Sequence, residues 1–152
     1  MEASFPEAFF VLVATRLNPL SIVFGVVLNF ENYDVQPLSV RFVNPLTRNP
    51  LSLNEIYCLP TLVSGPNPLS FQIQPLVQGF SQDRPFLCLQ GIREYHDNEG
   101  HSGDSWFLYR KTGSGTLLQI LEVIMKYGPD SIQAYHLQVN PQIGFSMNPS
   151  PL

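Results

Sequence analysis

Ser21-Ile-Val-Phe-Gly-Val-Val-Leu-Asn-Phe30, the turn Glu31-Asn-Tyr-Asp34 and then Leu38-Ser-Val-Arg-Phe-Val43 decide the fold class. The first run is rich in Val, Ile and Phe and reads as a buried strand. The second alternates apolar and polar residues, as a half-buried strand does. A short link joins them, and Asn44-Pro45 ends the second, so an antiparallel hairpin is the economical reading. Around this hairpin the flanking segments are placed.

Upstream, residues 5–17 carry Phe9, Phe10, Leu12, Val13 and Leu17 after Pro6 and Glu7. A first-turn proline with an early acid predicts a helix there, while the β-branched and aromatic content would also suit a strand. Downstream, residues 45–85 hold seven prolines, which exclude a long helix and leave short extended pieces at 56–59 and 71–73. Residues 86–95 read as a strand, and 106–110 as its return. Over 116–127, Leu117, Leu118, Ile120, Leu121, Ile124 and Met125 recur at helical spacing. Ser114 or Thr116 can cap that helix, and Gly128-Pro129 stops it. The order predicts a single α+β domain over 1–152, a mostly antiparallel sheet with flanking helices. The tail 140–152, with three prolines, is expected to be irregular.

Composition narrows the function classes. Apolar residues make 44% of the chain and charged residues 13%, which is globular and not disordered. Twelve acids against eight bases give a net charge of −4, and the bases are scattered. Neither a nucleic-acid footprint nor a polybasic membrane anchor is expected. The apolar runs are too short to span a bilayer, and Glu2 and Glu7 stand where a secretory leader needs positive charge. A cytoplasmic protein with Cys58 and Cys88 reduced is the expectation, a Cys58–Cys88 disulfide being the minor alternative.

Reactive side chains concentrate within 84–110. Cys88-Leu-Gln-Gly-Ile-Arg-Glu94-Tyr-His96-Asp-Asn-Glu-Gly-His101 sets a thiol, a carboxylate and two imidazoles within fourteen residues. A thiolate with two imidazoles favours zinc, or another divalent transition metal, over magnesium or calcium. On an unbroken strand Cys88, Glu94 and His96 would share one face, but Cys88 would lie about 20 Å from Glu94, so a shared site requires the chain to fold back near Gln90-Gly91-Ile92. Asp97, Glu99 or Asp104 could orient a histidine. Two other readings stay open. Cys88 could be a nucleophile served by His96, His101 or Arg93, or a buried thiol beside solvated turn histidines. Cys58 is read as a core residue, His136 as a structural or surface histidine, and Arg93 and Arg110 as solvated or bracketing the site.

Pro85-Phe-Leu-Cys88-Leu-Gln-Gly91-Ile-Arg93-Glu94-Tyr95-His96, then His101-Ser-Gly-Asp104-Ser-Trp106 and Arg110, resembles the bacterial predicted metal-binding family with the Cys-Glu-His-His (CEHH) signature. That resemblance covers about a quarter of the chain and implies Cys88, Glu94, His96 and His101 as ligands. It also implies an accessory role in a ubiquitin-like conjugation system, beside activating-enzyme-like, conjugating-enzyme-like and ubiquitin-like partners. Residues 22–30 with Tyr33, Pro37 and Val40-Arg-Phe42 resemble the entry of ubiquitin-conjugating (E2, UBC-like) domains, which implies a helix at each end of a meander. Cys88 then falls near the E2 cysteine, and a transferase using it as thioester nucleophile is the alternative, beside a UBC-like scaffold without activity. The His-Pro-Asn pattern expected upstream of that cysteine is absent here. Whether the chain is an enzyme stays open. A fully ligated ion would be structural, while an open position would admit a water and hydrolysis with Glu94 as base.

Overall fold

The computed structural model describes all residues but 1, 57–59, 65–70, 82–83, 102 and 137–152. Cys58 and the tail 140–152 therefore lie outside the described residues. The frame is an antiparallel meander of β1 (Glu2–Ser4), β2 (Glu7–Ala14), β3 (Ser21–Asn29) and β4 (Ser39–Val43), paired in that order. The predicted hairpin is β3–β4, with Gly25 opposite Val43 and Asn29 opposite Ser39. Two further pairs follow, β5 (Pro60–Ser64) with β6 (Phe71–Pro75), and β7 (Val77–Gly79) with β8 (Pro85–Leu87). Among the described residues three α-helices come late: α1 (Arg93–Asp97), α2 (Trp106–Tyr109) and α3 (Leu117–Tyr127). The protein is α+β with antiparallel sheets.

Three element assignments change. Residues 5–17 hold strand β2, not a helix, because Glu7–Ala14 pairs along its length with β3, from Glu7↔Asn29 to Ala14↔Ser21. Tertiary pairing outweighs the first-turn proline, and the β-branched and aromatic content suits it. Residues 86–95 are strand only to Leu87, and then turn into α1. Residues 106–110 form α2 where a return strand was expected. The extended piece at 71–73 is part of β6, while that at 56–59 lies mostly outside the described residues.

Alternation along the meander sends one face inward. Leu12, Phe24, Val26, Leu28, Val40 and Phe42 join Ile120 and Ile124 of α3 in one buried cluster. Phe24 and Phe42 meet edge to face across the β3–β4 pair, with centroids 5.4 Å apart. Helix α3 starts where the Thr116 hydroxyl accepts from the Gln119 N–H at 3.3 Å, and ends at Gly128, whose N–H donates to the Ile124 carbonyl. Its buried stripe is Ile120 and Ile124, and Leu118 faces solvent. The same cluster takes in Leu87, Ile92 and Tyr95, so the motif segment is anchored in the core it borders.

Candidate metal centre

The chain folds back where the site requires it. After β8, Gln90-Gly91 forms a turn, and Ile92 N–H donates to the Leu89 carbonyl at 2.9 Å. Gly91 is needed for space, since a Cβ there would overlap the Ser114 carbonyl of the neighbouring loop. The turn delivers Ile92 beside Leu38 as a parallel bridge, and α1 begins at once.

Cys88 and His101 are brought together, Sγ to Nε2 at 3.4 Å, although 13 residues separate them. The cysteine is a free thiol, half-buried, and burial pushes its pKa up. Two ligands of one tetrahedral zinc, at about 2.3 and about 2.0 Å, stand about 3.6 Å from each other. The observed separation is close to that and also suits a thiol–imidazole hydrogen bond. The Cys88–His101 pair thus fits a zinc ion in distance and in donor chemistry.

Glu94 and His96 are held elsewhere. Their strand-like parity gives way to a helix, where residues two apart diverge by about 200°. The Glu94 carboxylate turns to β4, accepting from the Ser39 hydroxyl and, at 3.3 Å, from the Val40 N–H. Both His96 nitrogens face backbone carbonyls, Nε2 on Gln90 at 2.8 Å and Nδ1 on Asp104 at 3.1 Å. That ring must rotate before either nitrogen can bind an ion. Among the described residues no three His, Cys, Asp or Glu side chains stand close enough to hold a metal.

Tyr95 is the site residue that the sequence reading passed over. Its ring stacks on His101, centroids 4.1 Å apart and planes at 18°, and its hydroxyl donates to Asp104 Oδ2 at 2.6 Å. Burial, then the hydrogen bond and charge of Asp104, push its phenol up to about 12. Only its position between Glu94 and His96 could have flagged it. Asp104, expected to orient a histidine, does so through its carbonyl and spends its carboxylate on Tyr95. Arg93 donates to the Pro37 and Glu31 carbonyls, and Arg110 pairs with Asp34 at 3.6 Å. With the Trp106 indole N–H on the Asp34 carbonyl, at 3.1 Å, they pin the β3–β4 loop to the motif segment. His136 is exposed. No helix among the described residues is long and apolar enough to cross a membrane.

Comparison with known proteins places this architecture in a family. The family described as Y4jH-like, the Y4jH family, matches residues 1–132, which spans the meander, the motif and α3. The uncharacterized protein y4jH of Sinorhizobium fredii (strain NBRC 101917 / NGR234) is 40% identical over 154 residues, covering 91% of this chain and 75% of that protein. On both counts the chain belongs to the Y4jH family.

Proposed function

We propose that this chain is a zinc-binding accessory protein of a bacterial ubiquitin-like conjugation system, acting in the cytoplasm beside activating-enzyme-like and conjugating-enzyme-like proteins. The observation that carries the metal half is the approach of Cys88 Sγ to His101 Nε2. The motif resemblance supports the pathway half. Cys88 and His101 would hold the ion, and His96 could join them after leaving its two carbonyls. Zinc, when bound, supplies a Lewis acid and keeps a coordinating thiol deprotonated. The protein's part is to fix the pair. Tyr95 stacks on His101 and sets the plane of its ring, while Asp104 holds Tyr95.

The same pair carries the alternative, an E2-like transferase with Cys88 as thioester nucleophile and His101 as its base. Burial raises the Cys88 thiol, which opposes the depressed pKa a reactive cysteine needs. Metal content per chain of untagged protein tests the reading. About one zinc in the wild type, with little in Cys88→Ser and His101→Asn, is expected. Metal-free wild-type protein, with a reducible adduct on Cys88 that forms in chelator, would move the function to the transferase.

A further inference from the structure

The motif and the structure part company at Glu94. Strand β4 pairs with β3 on one side. On its other side Arg93 N–H donates to the Leu38 carbonyl at 2.9 Å, within the parallel Leu38–Ile92 bridge. In a parallel ladder that continued, the Arg93 carbonyl would be the next acceptor, for Val40 N–H. The chain turns into α1 at Arg93 instead, and Tyr95 N–H bonds back to the Ile92 carbonyl. Val40 N–H is then met by Glu94 Oε2, while Oε1 takes the hydroxyl of Ser39, a nearly buried side chain.

We infer that Glu94 caps Val40 on the second edge of β4 and is not a metal ligand. The carboxylate substitutes for the backbone carbonyl that the helix removes, in the gap between the Leu38–Ile92 bridge and Leu51 N–H, which donates to the Phe42 carbonyl farther along the same edge. Both of its oxygens have donors on β4. Resting on the zinc reading above, a four-coordinate ion on Cys88 and His101 would have two positions left, for His96 once rotated, for water or for a side chain of a partner protein.

Glu94→Ala and Ser39→Ala, studied singly and together, test the cap. The measurements are Val40 amide exchange by NMR, thermal melting, and affinity for zinc alone. Glu94→Ala, which removes the acceptor, should speed Val40 exchange about tenfold, the loss of one hydrogen bond. The double variant should melt little below the weaker single one, since both changes break the same contact. The zinc Kd of Glu94→Ala should stay within about tenfold of wild type, while His101→Asn exceeds that loss. Unchanged Val40 exchange, additive melting losses, or a zinc Kd for Glu94→Ala weakened as far as in His101→Asn would each overturn the inference. If wild-type protein takes up no zinc, the metal reading falls, and Val40 exchange with the melting cycle still decides the cap.

Discussion

Tyr95 joins the two halves of the site. One ring face covers His101 and the hydroxyl reaches Asp104, so packing and a hydrogen bond converge on a side chain only 8% exposed. Its phenol is raised to about 12, above the value near 10 of an unfolded chain. A raised folded pKa stabilises fully below pH of about 10 and is lost as pH climbs through about 12. The stability of the metal-free protein in urea should therefore fall between about pH 10 and about pH 12, and less so in Tyr95→Phe. Tyrosinate absorbance should show a phenol titrating at about 12 in the wild type and missing from that variant. Cys88 follows the same sign. Its burial favours the neutral thiol, so alkylation near pH 8 should be slower than for free cysteine and accelerate as pH rises.

At the scale of elements, the turn at Gln90-Gly91 converts a strand into a helix and sorts the motif. Strand parity puts Cys88, Glu94 and His96 on one face, and that reading fails because the segment changes period at Arg93. The need for a fold-back near Gly91 was legible from distance, but where the chain would go afterwards was not. Gly91→Ala would press a methyl into the Ser114 carbonyl and should cost about 1–3 kcal/mol, with a weakened Cys88–His101 approach. Denaturant titration, with zinc uptake measured alongside, checks both effects. Helix α3 behaves as its periodicity predicts, since its cap, stop and buried stripe are local. Thr116→Ala, which removes the hydroxyl that accepts from Gln119 N–H, should cost about 1 kcal/mol in the same titration.

For the whole molecule, the meander and α3 share one core that also anchors the motif through Leu87, Ile92 and Tyr95. Site geometry and global stability are therefore linked. Ile124→Ala, at a side chain 1% exposed, should lower unfolding free energy by about 2–5 kcal/mol with an unchanged denaturant slope. Equal loss of zinc affinity and stability in that variant would show the site following the core.

The α+β class, the β3–β4 hairpin and helix α3 could be read from the sequence alone. Those follow from hydrophobic period, turn residues and side-chain type, all of which are local. Tertiary structure decided the rest. Residues 7–14 became a strand because β3 offered a partner edge, against a helix-start signal at Pro6. Cys88 met His101, and not Glu94, because contact across a turn depends on the direction in which the following helix leaves. Glu94 went to β4 because Val40, 54 residues away, presented an N–H without a backbone acceptor. Partnerships of that kind lie between distant segments, where spacing along the chain carries no information.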